Sequence, residues 1–409
     1  LNFEIDKENK PLHAEADSAR PLTPRIYLFN ALLAGGAGQC AKHFPRIADL
    51  GFDWVCYVPH AGQWDPSTFA ALADEAHQTG LRIMLQAPSA EAADYKAWAK
   101  AGASGFLVSP AAERCTQWRA TLAEFRAGKA KPLFVADTLG RPWEEVLTLA
   151  QAGFDYLINS AAWWDLRESW FLRQQQDLES LVPTLSSPEP LRGMRLANRL
   201  TQTDTAFYEA IYRSRYLVAA IASSGLICSM GYEFASKVSF EAATAREFDW
   251  DFARAQVPFD LSDEIKRINK LKATMPVLQG EGDLRLVSAP GTLPAAIVRR
   301  SECAPGEAAC LLVNSSPYEH SCPPLSELAI AAGTACFVEP GKKKPAAFNN
   351  LAPHESWLLF AAPQPESKPL SQKESSKRLE ALAANRVVIE RVTPELDGGR
   401  FPVKRATGD

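Results

Sequence analysis

From Pro24 to about Leu278, short apolar runs alternate with amphipathic stretches, with a repeat of about 25–35 residues that suits one strand plus one helix. The runs RIYLFNAL (25–32), FDWVCYVP (52–59), LRIMLQAP (81–88), ASGFLVSP (103–110), PLFVADTL (132–139), FDYLINSA (154–161), GMRLANRL (193–200) and LICSMGYEF (226–234) are read as strands. They are apolar without strict alternation, the pattern of strands covered on both faces. Between them, stretches such as PSTFAALADEAHQTG, WRATLAEFRAGKA, PWEEVLTLAQAG and TAFYEAIYRSRYLVAAIASSG carry a helical period. Gly51, Gly80, Gly102, Gly153 and Gly225 each stand between a helical stretch and a strand, where helices commonly end on a left-handed residue. Such βα units close most economically into a (β/α)8 barrel, and a doubly wound open sheet is the alternative with the same periodicity.

Beyond residue 280 the pattern shortens. DLRLVSA, PAAIVRR, ACLLVNSS, ACFVEPG and HESWLLFAA are β-type runs separated by Pro, Gly and Ser turns, which predicts a small antiparallel β-sandwich packed on the barrel. The expected organisation is an N-terminal arm (1–23), the barrel (24–280), the sandwich (281–362), a Pro/Ser/Lys/Glu-rich linker (363–385) and a new β-type segment (386–409). A strand without following partners cannot bury a face, so that last segment is read as the start of a further module.

Composition narrows the possibilities. Hydrophobic residues make up 46% and charged residues 22% of the 409, which excludes global disorder. Lys and Arg number 44 against 48 Asp and Glu, a balance that argues against nucleic acid as the main partner. No run has the length of a membrane span, and the polar, proline-bearing N-terminus lacks an apolar signal core, so a cytoplasmic, membrane-free protein is expected. The 8 cysteines include no C-x-x-C pair. Cys303, Cys310, Cys322 and Cys336 match no zinc-ribbon spacing, so reduced core thiols are expected and no metal or other cofactor. His43, His60 and His77 share no ligand spacing, GGAG (35–38) lacks the lysine of a phosphate loop, GKKKP (341–345) reads as a solvated turn, and no G-x-S-x-G nucleophile elbow occurs.

Several segments carry a family resemblance. FVADTLGRPWEEVLTLAQAGFDYLINSAAWW (134–164) resembles the fifth- and sixth-strand region of bacterial α-1,4-glucan:maltose-1-phosphate maltosyltransferases, within the α-amylase superfamily (glycoside hydrolase family 13). FPRIADLGFDWVCYVP (44–59) is similar to that family's first helix and second strand, SSGLICSMGYEFA (223–235) to its eighth strand, and FDWD (248–251) with SDEIKRINKLKATMPVLQ to its last helix. RVVIERVTPELDGGRFPVKR (386–405) resembles the start of the maltosyltransferases' N-terminal sandwich. The resemblance implies an amylase-like module ahead of a maltosyltransferase module in one polypeptide, with α-1,4-glucan or maltooligosaccharide as ligand and a homodimer among the possible assemblies.

The resemblance also implies three carboxylates at strand ends, with the nucleophile after strand four, the acid/base after strand five and a third acid after strand seven. In this chemistry one carboxylate attacks the anomeric carbon while a second protonates the leaving oxygen. Where the family has Gly-Phe-Arg-x-Asp, this chain has Gly105-Phe106-Leu107-Val108-Ser109. Ser109 therefore takes the nucleophile position, Asp137 the acid/base position, and Leu200, in LANRL, the third acid position. The third-strand region lacks the usual Asp and Asn-His pair, and the short link to strand four leaves no room for the family's inserted domain. Together these losses predict a catalytically degenerate module.

Trp64, Trp163, Trp164 and Tyr232 follow strands at the face where family ligands bind, and aromatic planes stack on glucose rings. Each has packing as its plain alternative. Glu233 is read as a sugar contact or as a partner of Lys237, and Asp137 as a vestige or a hydrogen-bond acceptor. Three readings follow: a glucan-binding or scaffolding module, a weakly active enzyme using Asp137 with Asp204 or Glu233, and a purely structural interaction module.

Overall fold

The computed structural model describes residues 23–59, 65–87, 92–200, 205–238, 259–301, 304–342, 344–347 and 349–362. The expectations placed on the N-terminal arm, Trp64, Asp204, FDWD, the linker and the C-terminal segment lie outside these residues.

Eight parallel strands form a closed barrel in chain order: β1 (Arg25–Asn30), β2 (Trp54–Val58), β3 (Arg82–Gln86), β4 (Gly105–Val108), β5 (Leu133–Ala136), β6 (Tyr156–Ile158), β7 (Thr184–Ser186) and β8 (Gly225–Ser229). Closure is made by β8 returning to β1, with Ile26 opposite Ile227 and Leu28 opposite Ser229, so the open-sheet alternative is excluded. Around the barrel lie α1 (Phe44–Asp49), α2 (Pro66–Gln78), α3 (Ala92–Lys100), α4 (Cys115–Ala127), α5 (Trp143–Ala150), α6 (Trp170–Glu179), α7 (Leu196–Arg199) and α8 (Thr205–Ile221). Strand residues such as Val55, Met84, Phe106 and Val135 are fully buried, because one face meets the barrel interior and the other the helices.

Two expectations need correcting. GMRLANRL is not the seventh strand: Leu196–Arg199 is a single helical turn, and β7 is the preceding Thr184-Leu185-Ser186. Its flanking polar residues disguise it as a loop, yet both are satisfied inside the protein. Gln175 Nε2 donates to Thr184 Oγ1 at 3.0 Å, and Ser186 Oγ donates to Asn159 Oδ1 at 2.9 Å. Gly225, unlike the other four glycines, is not a left-handed helix terminator but the first residue of β8. A Cβ there would fall 2.2 Å from Leu185 Cδ2 and 2.9 Å from the Pro24 carbonyl, so three chain segments meet at a point that only glycine fits.

After the helix Ser262–Thr274, the chain builds a five-stranded antiparallel sheet from β9 (Leu284–Leu286), β10 (Ala295–Arg299), β11 (Ala309–Val313), β13 (Phe337–Val338) and β15 (Ser356–Ala361), in the order β13-β15-β11-β10-β9. A two-stranded ribbon pairs β12 (His320–Ser321) with β14 (Asn350–Leu351). The sheet has two buried faces. Ile297, Leu311, Val313, Leu358 and Phe360 join the barrel's core, while Val298, Cys310, Leu312 and Leu359 form a second core. The helix Leu325–Ala331, which the turn-rich sequence did not suggest, places Leu328 and Ala329 in that second core. Alternate residues thus meet different apolar surroundings, which explains runs such as ACLLV with no polar face.

Two fully buried basic side chains, Lys272 of the helix Ser262–Thr274 and Arg299 of β10, bind backbone carbonyls at the end of the barrel where strands begin. Lys272 Nζ donates to the carbonyls of Ala220 (2.8 Å) and Ser223 (2.7 Å), at and beyond the end of α8. Arg299, in β10, donates to the carbonyls of Val277, Ile221 and Gly280 at 2.9, 2.9 and 2.6 Å. Carbonyls at a helix C-terminus lack partners within the helix and carry partial negative charge, so they suit cations. Nearby, Glu281 Oε1 accepts from the Thr184 amide and Ser224 Oγ, each at 2.6 Å. No helix among the described residues is long and apolar enough to cross a membrane.

Burial, with Arg299 close by, holds the Lys272 pKa well below the usual lysine value despite opposition from Glu281. Between the folded value and the unfolded value of about 10.5, the unfolded chain binds the extra proton, so stability rises with pH across that window. Lys272→Met is expected to lose that rise. It also leaves two carbonyls without their donor, a cost of about 1–3 kcal/mol each. Urea unfolding of both proteins at stepped pH from neutral to alkaline measures both effects.

Candidate functional site at the C-terminal end of the barrel

Barrel strands deliver their C-terminal ends to one rim, where loops carry side chains on a rigid frame. Ser109 directly follows β4 and Asp137 directly follows β5, the placements expected for the first two positions. They are joined by an arginine that sequence reading did not single out. Arg192, in the segment after β7, sets its Nε 3.2 Å from Asp137 Oδ2 and donates from Nη2 to Ser109 Oγ. Asp137 Oδ1 also accepts from the Leu139 amide at 3.3 Å. Burial pushes the Asp137 carboxyl above its usual range; Arg192, the Leu139 amide, Arg141 and Ser109 act against that shift without cancelling it.

Because β7 ends at Ser186, Leu200 does not stand at the third acid position. It closes the α7 turn, and its carbonyl accepts from the Tyr208 hydroxyl at 2.8 Å. The carboxylate that follows β7 is Glu189, which is only 1% exposed. Its Oε1 lies 2.8 Å from Arg195 Nη2, and its Oε2 accepts from the Leu196 amide at 2.9 Å. Arg195 is buried as well and donates to the Met230 carbonyl at 3.1 Å. The signal that could have found Glu189 is the Ser-Ser-Pro-Glu run at 186–189, once Thr184–Ser186 is recognised as a strand.

Glu233 lies in the turn after β8, fully buried, and its partner is not Lys237. Arg46 of α1 donates to Glu233 Oε1 at 2.6 Å, and the Tyr27 hydroxyl of β1 donates to the same oxygen at 2.7 Å. Both partners contact the same oxygen, and Glu233 Oε2 is buried without a hydrogen-bond partner. Each of these three strand-end carboxylates is therefore engaged by an arginine.

The aromatic candidates divide. Trp163, in the 3-10 turn Ser160–Trp163 after β6, is 38% exposed. Its Cη2 lies 3.7 Å from where a Cβ on Gly140 would stand, so its ring reaches the loop that follows Asp137. Trp164 does not face solvent. Its ring is fully buried against Phe171, with centroids 4.9 Å apart, and its indole N–H donates to the Glu168 carbonyl at 2.8 Å. Tyr232 is likewise enclosed, donating to the Tyr212 carbonyl at 2.6 Å and packed on the Tyr212 ring. In the turn after β6 adjacent residues point in different directions, and Trp163 is exposed while Trp164 is buried. No group of three or more His, Cys, Asp or Glu among the described residues could hold a metal ion.

No protein-family model matches the chain. A curated maltosyltransferase of Burkholderia pseudomallei (strain K96243), "Alpha-1,4-glucan:maltose-1-phosphate maltosyltransferase", is 30% identical over 384 residues. That match covers 89% of this chain and 32% of the relative, so the chain spans about a third of the relative's length. Among solved structures, an Anoxybacillus α-amylase superposes with a TM-score of 0.61 at 11% identity, over 84% of this chain and 99% of its own. A Bacillus licheniformis trehalose-6-phosphate hydrolase gives 0.62 at 11% identity, over 83% and 99%.

The chain resembles part of a maltosyltransferase and has the α-amylase fold.

On that fold, the maltosyltransferase-like chain keeps a carboxylate after β5 and another after β7, and holds a hydroxyl after β4. The segment 187–195 supplies Glu189 together with Arg192 and Arg195, and so contributes the arginine contacts of Ser109, Asp137 and Glu189. Replacing Arg192 by Leu removes the cation that lowers the Asp137 pKa. Its titration, followed by NMR of aspartate labelled with 13C at Cγ, is expected to move to higher pH. Glu189→Leu leaves Arg195 buried without its counter-charge and is expected to cost about 3–5 kcal/mol in urea unfolding, with Glu189→Leu/Arg195→Met costing less.

Proposed function

We propose that this chain is an α-glucan-binding module with the amylase fold that does not itself cleave or transfer its ligand. The observation that carries this reading is the pairing of Asp137, Glu189 and Glu233 with arginines while Trp163 stays exposed at the same rim. Retaining glycosyl chemistry requires a carboxylate that can attack the anomeric carbon and a second that delivers a proton. Among the described residues the carboxylate beside Ser109 is Asp137, already engaged by Arg192, and hydroxyl attack would give no glycosyl ester of the family type. What the rim retains is an indole face beside an arginine, a serine and a buried carboxylate, a set that can stack on a sugar ring and hydrogen-bond its hydroxyls.

The likeness to a maltosyltransferase favours α-1,4-glucan as the ligand, and favours a role beside a maltosyltransferase module of the same polypeptide. In that arrangement this module would hold or orient glucan for a neighbour that uses maltose 1-phosphate. The cytoplasm is the compartment that fits, since the seven described cysteines are all free thiols.

Calorimetric titration of the 409-residue chain with maltohexaose tests the reading. Saturable heat is expected, weakened about tenfold or more in Trp163→Ala and accompanied by no release of smaller sugars. Absence of heat at millimolar maltohexaose removes the binding reading, and sugar release that Asp137→Asn abolishes establishes the enzyme reading instead.

A further inference from the structure

Between Glu189 and Leu196 the chain makes a closed hoop. One carboxylate fastens both ends: Glu189 Oε1 lies 2.8 Å from Arg195 Nη2, and Oε2 accepts from the Leu196 amide at 2.9 Å. The base is fixed further by Ser187 Oγ, which donates to the Glu189 carbonyl at 2.6 Å, and by Arg195, which donates to the Met230 carbonyl. Pro190 and Leu191 are buried on the first limb. Arg192, Gly193 and Met194 form an exposed tip, with Met194 57% exposed. Gly193 is left-handed at φ 75°, and a Cβ placed on it would meet nothing within 4 Å. A firmly tied base thus carries a three-residue tip that lies in open space, the kind of segment that opens locally while the rest stays folded.

The side chain of Arg192 joins this tip to the ends of β4 and β5, at Ser109 and Asp137. It is 54% exposed, while its partner Asp137 is only 7% exposed. That asymmetry decides what release involves. The guanidinium is already half solvated and can move into water fully charged. The carboxyl stays buried, and a buried carboxylate without its cation is unfavourable until it takes up a proton. The groups facing Asp137 are Ser109 after β4, the Leu139 amide and Arg141 in its own loop, and Arg192 of the hoop. Arg141 is itself paired with Glu145 of α5 at 3.2 Å, which leaves Arg192, among the described residues, as the cation in contact with the carboxyl.

We propose that the hoop 189–196 is a proton-sensitive latch, closed while Arg192 bridges ionised Asp137 and Ser109, and open when Asp137 is protonated and the tip swings into solvent. The sign follows from linkage. Without Arg192 the carboxyl holds its proton more tightly, so opening takes up a proton and falling pH drives it. Each unit by which the open-state pKa exceeds the closed-state one favours opening about tenfold in acid. Burial already holds the closed-state value above the usual carboxylate range, so the transition lies above that range too. Closed, the corner between β4 and β5 presents a cation; open, it presents a serine hydroxyl and an uncharged carboxyl. The latch needs no ligand and operates whether or not the rim binds glucan.

Methionine 13C-methyl NMR of the full chain tests the latch. The chain has 4 methionines, Met194 is the one at the tip, and Met194→Leu assigns its signal. As pH falls, the Met194 methyl is expected to lose order with the same midpoint as the 13Cγ titration of Asp137. Asp137→Asn keeps the shape of the side chain without its charge and is expected to give a mobile tip at every pH. Arg192→Leu is expected to do the same, and Arg192→Lys to retain part of the pH dependence. A Met194 methyl whose order does not change through the Asp137 titration overturns the latch. So does a pH-dependent loss of order that persists with an unchanged midpoint in Asp137→Asn. Should Asp137→Asn lower the melting temperature, Arg192→Leu, at an exposed position, decides between the same two outcomes.

Discussion

A charge withdrawn from water needs a partner of opposite sign or a set of hydrogen bonds, and in this protein that constraint organises both ends of the barrel. At the C-terminal rim the acids after β5, β7 and β8 meet Arg192, Arg195 and Arg46. At the opposite end Lys272 and Arg299 are spent on carbonyls, and Glu281 on an amide and a hydroxyl. The three rim arginines all come from outside the strands. Two come from the segment after β7 and one from α1, so the state of the rim is decided by loops and a helix the barrel brings together.

The consequence for chemistry is specific. An acid that works in glycosyl transfer must change its charge or its bonding during the reaction, and the pairing seen here opposes both. Burial raises the Asp137 pKa, and Arg192 acts against that shift. Glu189 and Glu233 are buried beside their cations. The same rim leaves Trp163 open. On the proposed reading, the fold has kept its recognition surface while its acids have become structural.

Much of the architecture was legible as pattern. Runs such as WVCYV and FLVSP, apolar on both faces, announced parallel strands, and the left-handed Gly51, Gly80, Gly102 and Gly153 marked the helix ends between them. Where pattern misled, the cause was polar residues satisfied by distant neighbours. Thr184 and Ser186 sit in a strand because Gln175 and Asn159 supply their hydrogen bonds, and no local window contains that information. The shift of β7 then took Leu200 away from the strand end and left Glu189 as the carboxylate that follows the strand.

The sequence by itself determined the barrel, the following antiparallel sheet, the serine after β4 and the aspartate after β5, because periodicity and nearest neighbours govern those features. Only the tertiary structure decided which side chains meet. Trp163 and Trp164 are adjacent in the chain, and folding exposes one and buries the other. Glu233 was read beside Lys237 and pairs instead with Arg46, 187 residues away. Direction and pairing are long-range properties: a turn's geometry sets where a side chain points, and a barrel's closure sets what it finds there.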